Sequence, residues 1–296
     1  MPDRPIFVTG STGQLAAALA AAATGLYRAG RPEFDFDRPD SIEAAFRAAN
    51  PRLAINAAAY TAVDAAEKDV DAAYRANRDG PAILARLCAE ADIPLIHVST
   101  DYVFDGTKSA PYVETDPVGP QGVYGASKLA GEQAVTQSGA RAIILRTAWV
   151  YAATGKNFVR TMLTLGKTRD RLTVVGDQHG NPTTAADLAD AILAIAALID
   201  RSGWQDSYRG IFHAAGTGAT TWHGLAVATF EAAARHGAKV PEVVPIATAD
   251  WPTPAKRPAN SRLDCTRLRQ VFGVSLPRWQ ESLTRTIDAI YAAAPP

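Results

Sequence analysis

Tyr124 and Lys128 stand four residues apart, downstream of Ser99 and Thr100 at the end of an apolar run. On a helix, side chains at i and i+4 share a face, so a phenol and an ammonium point into one cleft beside a hydroxyl delivered from a strand end. Such a set moves protons. A free tyrosine has a pKa of about 10, and drawing it toward neutrality takes roughly 3 units, or about 4 kcal/mol in favour of phenolate. The neighbouring cation is the expected source of that shift. With nine tyrosines in the chain, the spacing arises by chance in roughly 0.2 cases, so the surrounding elements have to decide.

Those elements begin with Pro5 to Thr9, a short apolar strand that runs into Gly10-Ser11-Thr12-Gly13-Gln14-Leu15 ahead of an alanine-rich helix. A tight strand-to-helix turn with two glycines lets backbone approach a ligand and presents free N–H groups and a positive dipole end to phosphate. Gly10, Thr12, Gly13, Gln14 and Leu15 are therefore candidate cofactor residues. Apolar runs at 5–9, 26–29, 53–57, 94–98 and 142–146 alternate with helical patterns near 14–24, 41–49, 71–91 and 122–138. That alternation predicts an α/β fold with a doubly wound parallel sheet of Rossmann type and a ligand at the carboxyl ends of its strands. After Tyr151 the pattern loosens, with helices near 156–166, 184–200, 222–236 and 279–293 and strands near 172–175 and 210–214. Residues 1–150 are read as the dinucleotide-binding domain and 151–296 mainly as a smaller substrate-binding α/β cap, with about 184–214 returning to the sheet. The proline-rich Trp251-Pro252-Thr253-Pro254 cannot be helical and is expected as an ordered loop over the cleft.

The end of the second strand normally carries an acid for the adenosine ribose of NAD. Here that place reads Arg28-Ala29-Gly30-Arg31, and with no acid and two guanidiniums a 2′-phosphate is attracted. NADPH is the expected cofactor, with NADH still possible. Ala57 and Ala58 are small, which suits close passage of a ribose diphosphate.

The chain resembles the extended short-chain dehydrogenase/reductase family and, within it, the dTDP-4-dehydrorhamnose reductases. The likeness is carried by NAAAYTAVDAAE at 56–67, VSTDYVFDG at 98–106, YGASKLAGE at 124–132, RTAWVY at 146–151, DQHGNPT at 177–183, TTWH at 220–223 and TPAKRPANSRLD at 253–264. It implies reduction of a dTDP-linked 4-keto-sugar to dTDP-L-rhamnose, with Tyr124 giving the proton, Lys128 holding the nicotinamide ribose and lowering the Tyr124 pKa, and Thr100 fixing the geometry. It also places Asp35 and Phe36 at the adenine, Ala59, Tyr60 and Thr61 along the cofactor, and Thr100, Asp101 and Trp149 beside the sugar. Trp149 is expected to offer an indole face to the sugar ring. Lys256, Arg257, Asn260 and Arg262 lie in the strongly matching loop, from which Arg257 and Asn260 are taken as diphosphate-side substrate contacts. Dehydratases of this fold put an Asp-Glu pair after the threonine, and Tyr102 stands where that Glu would be. A 4-epimerase uses a similar set and stays open, as does a non-catalytic homologue that binds NADP and a partner enzyme.

Composition sets limits on class. The chain has 296 residues, 47% of them apolar, with thirty basic and thirty acidic side chains that cancel, which argues against a nucleic-acid or membrane surface. No apolar stretch approaches the roughly 18 residues of a membrane span, and Met1 to Arg4 lead into a strand without a signal-peptide pattern, so a cytoplasmic enzyme, monomeric or homodimeric, is expected. Cys88 and Cys265 lack metal or disulfide spacing. Asp177, His179, His213 and His223 fit no compact zinc pattern, so no catalytic metal is expected; a structural divalent ion at a subunit contact stays open.

Overall fold

The computed structural model describes residues 4–293. Its centre is a six-stranded parallel sheet in which β1 (Ile6–Thr9), β2 (Leu26–Ala29), β3 (Leu53–Asn56), β4 (Pro94–Thr100), β5 (Arg141–Thr147) and a later strand, Gly210–His213, run in the order β2-β1-β3-β4-β5 followed by the late strand. These segments read as continuous apolar runs because both faces of the sheet are covered. Phe7, Ala54, Leu95 and Ile144 pack on one face, under α2 (Pro39–Ala49) and the later helices Gly80–Glu90 and Val123–Gln137; Val8, Ile55, Ile96 and Leu145 pack on the other. That second face lies under α1 (Gln14–Ala22) and the helix Ala185–Ser202, and Phe212 of the late strand belongs to the same core. The strand order reverses between β1 and β3, which opens a crevice outside their carboxyl ends.

The continuous helix expected over 71–91 is three pieces. Val70–Tyr74 (α4), which comes after the short α3 (Val63–Ala66), leads into a π-helical turn over Arg75–Asp79, and α5 (Gly80–Glu90) follows it. The widened turn presents the buried side chain of Asn77, which accepts from the Tyr60 amide (2.9 Å) and donates to the Tyr60 carbonyl (3.0 Å) and to Ser127 Oγ (3.0 Å). A tertiary set of bonds thus outweighs the regular i to i−4 ladder at one place. Ser127 lies on α6 (Val123–Gln137), whose Gly131 faces the Asn77 carbonyl with no room for a methyl group between them.

The remaining chain continues from β5. It contains β6 (Val150–Tyr151), α7 (Phe158–Gly166), β7 (Arg171–Val175), β8 (His179–Gly180), β9 (Thr183–Thr184), α8 (Ala185–Ser202), β10 (Gly210–His213), β11 (Thr220–Thr221), α9 (Trp222–Ala234), β12 (Glu242–Ile246), β13 (Asn260–Ser261), α10 (Thr266–Phe272) and α11 (Trp279–Ala293). Within it α8 packs on α1, and β10 extends the main sheet beside β5. The short sheets are β11-β8-β13, β12-β7 and β6-β9. Trp251 to Thr253 form an irregular segment after a 3-10 turn, and Ala255 N donates to Asp64 (3.2 Å), so the loop ties this later part of the chain to α3. Among the described residues no helix is long and apolar enough to cross a membrane.

Gly131→Ala should loosen the α6 contact with the π-helical turn. The expected loss is about 1–3 kcal/mol, the usual penalty for overpacking, read as a lower urea midpoint; an unchanged midpoint would show that the close approach carries no strain.

Candidate active site

A cleft of about 770 Å³ runs along the carboxyl ends of β1, β3, β4 and β5. One end is built by the first turn. Gly10 has φ +88°, and a methyl there would sit 3.2 Å from the Ala58 side chain, so glycine is what lets the two loops meet. Gly13 precedes α1 without a side-chain cap, leaving the first N–H groups of a nine-residue helix directed at the cleft. Thr9 Oγ1 accepts from the Ala58 amide (3.0 Å) and donates to Asn56 Oδ1 (2.6 Å), which fixes the small Ala57-Ala58-Ala59 strip opposite. These features form a cradle shaped for a dinucleotide pyrophosphate.

Gly10, Thr12, Gly13, Gln14, Leu15, Arg31, Phe36, Ala57, Ala58, Ala59, Tyr60 and Thr61 all line this cleft, as do Thr100, Asp101, Tyr124, Lys128 and Trp149. Asp35 does not: it holds Arg31 (3.0 Å) and accepts from the Asp37 amide (3.1 Å), so it reaches the cleft only through the guanidinium it steadies.

At the centre, Lys128 is 2% exposed and donates to the Val98 carbonyl at 2.7 Å. Burial pulls its pKa down from 10.5 to about 8, and Glu132 one turn along pulls it back up. Tyr124 lies part-buried in the wall, its ring edge-on to Tyr102 with centroids 5.4 Å apart. Burial pushes the Tyr124 phenol well above its ordinary range; the Thr100 hydroxyl opposes this, while Asp101 and Tyr102 add to it. Lys128 is not among the groups that act on this phenol, so the expected pull toward neutrality finds no support in the fold. Desolvation outweighs the Thr100 hydrogen bond, and Tyr124 is held protonated. Thr100 Oγ1 also bonds Asp101 Oδ1 (3.0 Å) and accepts from the Tyr102 amide (3.3 Å).

Asp101 is 3% exposed, its Oδ2 has no partner, and burial lifts its pKa from 3.8 to about 6 against hydrogen bonds from Ser261 and Thr100. Thr147, the β5 neighbour of Thr100, likewise has a buried hydroxyl without a partner on the cleft wall. Orphaned polar atoms from two residues of one cleft suit a polyhydroxylated ligand. Thr147 was not expected from the sequence, although it directly follows Arg146 in the matching run RTAWVY.

The family follows from comparison with known proteins. A model described as RmlD substrate binding domain matches residues 4–292. A dTDP-4-dehydrorhamnose reductase from Sinorhizobium fredii is 45% identical over 286 residues, covering 96% of each chain. The chain belongs to the dTDP-4-dehydrorhamnose reductase family. The enzyme of that name from Escherichia coli is 39% identical over 87% of this chain and 86% of its own. Two solved reductases, from Clostridium acetobutylicum and from Bacillus anthracis in complex with NADP, each superpose with a TM-score of 0.88 over 97% of this chain and 99% of theirs, at 37% and 34% identity.

Three of the substrate contacts that the resemblance implies are already engaged within the protein. Asn260 is buried; its amide donates to Lys108 O (2.7 Å) and Ala110 O (2.8 Å), and its Oδ1 accepts from Arg262, so its bonding capacity is spent on the loop. Arg257 pairs with Asp64 (2.6 Å) and the Tyr102 hydroxyl (3.1 Å), outside the cleft wall. Trp149 does line the cleft, in the left-handed region at φ +49°, but its indole lies flat on Trp222 (centroids 3.7 Å, 10°) with Gly180 also against it. The stack takes one indole face, and Trp222 joins Trp149 as a wall residue. Trp251 is 57% exposed and lies outside the cleft lining. Among the described residues no three metal-ligating side chains cluster: Asp177 is bonded to Thr248, His213 faces the Tyr112 and Asp264 carbonyls, and His223 the Val243 carbonyl.

Asp101 gives a signed pH prediction. Between pH 3.8 and about 6 the folded protein keeps a proton that the unfolded chain releases, so stability falls through that window and the full penalty stands above it. Asp101→Asn should raise stability by about 1–3 kcal/mol at pH 7.5 and by almost nothing at pH 3.5. Urea midpoints at both pH values check it, and an equal change at the two would contradict it.

Proposed function

We propose that the protein reduces the 4-keto group of dTDP-4-dehydro-6-deoxy-L-mannose to give dTDP-L-rhamnose, with NADPH as reductant. The reading is carried by one observation: Thr100, Tyr124 and Lys128 converge in the same cleft as the uncapped start of α1. It draws support from family membership and from the NADP bound to the Bacillus anthracis relative.

The α1 turn and the Ala57–Ala59 strip would hold the cofactor's pyrophosphate and adjoining sugars, and Lys128 the ribose next to the nicotinamide. When bound, that nicotinamide supplies hydride to the substrate carbonyl carbon. The chain's own part is the proton. A carbonyl oxygen becoming an alkoxide needs a donor that is still protonated at neutral pH, and burial keeps Tyr124 in that form. Thr100 orients the phenol and the carbonyl, while Asp101 and Thr147 offer their free polar atoms to sugar hydroxyls. The stacked Trp149 and Trp222 close the pocket with an apolar wall beside the deoxysugar.

NADPH over NADH follows from the end of β2. A side chain at Gly30 would strike Ser11, so the acid usual at this position has no room. Arg31, on the cleft wall, is 69% exposed between Asp35 and Asp37. Exposed pairs of this kind are weak, so the guanidinium can turn to a 2′-phosphate. Tyr102 argues against dehydration: its hydroxyl, held by Arg257 and raised in pKa by burial, is no substitute for a carboxylate base. The absence of an expected membrane segment from the sequence and the nature of the substrate fit a cytoplasmic enzyme.

Mixing purified protein with NADPH and the dTDP keto-sugar should bleach the reduced-nicotinamide absorbance, and Tyr124→Phe should lower kcat by at least about 100-fold, the lower bound for loss of a general acid, while NADP+ affinity stays within about threefold. A wild-type trace as flat as the blank would sink the assignment, and a Tyr124→Phe enzyme of near-normal kcat would remove the phenol from the proton transfer.

A further inference from the structure

A buried ion pair sits one turn behind Lys128 and plays no part in the chemistry described so far. Glu132 and Arg146 are each 2% exposed. Glu132 Oε1 accepts from Arg146 Nε (2.9 Å) and from Ser99 Oγ (2.5 Å), and Oε2 accepts from Arg146 Nη2 (2.6 Å). The guanidinium lies over the Phe104 ring at 4.9 Å, and its Nη1 is buried without a partner. An arrangement that leaves a guanidinium nitrogen unsatisfied is poor value as a stabilising device, since desolvating two charges offsets most of their attraction. Its placement suggests another use. Glu132 is four residues beyond Lys128 on α6, so both project from one helical face. Ser99 lies next to Thr100 on β4, and Arg146 is its partner across the β4–β5 ladder.

We propose that Glu132, held by Arg146 and Ser99, is a positioning residue that keeps Lys128 charged and aimed at the cleft. The inference rests on the reading of Lys128 as a cofactor-side cation. The surroundings of Lys128 leave few other candidates. From β4 comes His97, fully buried, which bonds Asn56 at 2.9 Å and is kept neutral by burial and by Lys128 itself. From the π-helical turn comes Asn77, uncharged, bonded to Ser127. From the 3-10 turn after β4 comes Asp101, which acts on Tyr124 and Tyr102. From β5 comes Arg146, which bonds Glu132 and is not among the charges that act on Lys128. On α6 itself Tyr124 is neutral. Among the described residues Glu132 is the carboxylate that supports the ammonium against desolvation, and without it the Lys128 pKa falls further.

The test reads Lys128 directly in the cofactor-free protein, by NMR titration of 13C-labelled lysine side chains with Lys128→Met to assign the resonance. Glu132→Gln should lower the Lys128 midpoint by at least one pH unit, a tenfold change in proton affinity, and shift the alkaline limb of the activity profile with it. Glu132→Asp, which keeps the charge, should restore most of the midpoint, and Ser99→Ala, which removes one hydrogen bond and no charge, should leave it in place. If Glu132→Gln fails to fold, Glu132→Gln combined with Arg146→Met removes the pair as a unit, a change buried pairs tolerate far better, and should still shift the midpoint downward, by less than the single variant because a nearby cation goes with the carboxylate. A folded variant lacking the Glu132 carboxylate whose Lys128 titrates as in wild type overturns the proposal. The reductase reading has its own failure, a flat NADPH trace with wild-type protein, which the lysine titration does not depend on.

Discussion

The hydrogen bond from Lys128 to the Val98 carbonyl is the constraint on which the site depends. It fixes an ammonium inside the protein at the point where α6 crosses the carboxyl end of β4. A buried ammonium with a single acceptor is expensive to desolvate, and the structure answers with a carboxylate one turn along the same helix and a glycine that lets that helix close on the π-helical turn. Gly131 lets α6 approach the π-helical turn, Asn77 then clamps the Tyr60 loop, and Ser99 couples Glu132 to the strand that carries Thr100. Moving α6 by an ångström would alter the Tyr60 loop, the Thr100 hydroxyl and the Tyr124 phenol together.

The same end of the sheet concentrates groups that disfavour folding. Asp101 Oδ2, Thr147 Oγ1 and Arg146 Nη1 are buried without partners, and Trp149 occupies a left-handed conformation. These groups lie at or just beyond the carboxyl ends of β4 and β5, where a ligand is expected, and strain held at such a place is often tied to function.

Much of this was legible in the sequence. Strand positions follow from apolar runs covered on both faces, and the glycine turn and the Tyr124–Lys128 spacing have local physical meanings that survive folding. What escaped depends on partners distant in the chain. The π-helical turn exists because Asn77 meets Tyr60 and Ser127, and no local propensity encodes that. Arg257 looked like a free cation in a basic loop, yet Asp64, 193 residues away, takes it. Trp149 looked like an open platform until Trp222 stacked on one of its faces. Glu132 and Arg146 were present in the matching runs YGASKLAGE and RTAWVY, but a glutamate at i+4 from a lysine reads equally as a surface pair. The sign of the Tyr124 shift was misjudged for a related reason: spacing gives the direction of a charge, whereas burial is known only from the fold.

The claim that organises the site is that burial keeps the Tyr124 phenol intact until a carbonyl oxygen takes its proton. Difference spectroscopy of tyrosinate formation in the cofactor-free protein, subtracting the trace of a phenylalanine variant at position 124, measures this directly. The account predicts no ionisation of that tyrosine below about pH 10, the ordinary value for a free phenol. A midpoint near pH 7 would contradict it and would return the lysine to the role of lowering the phenol's pKa.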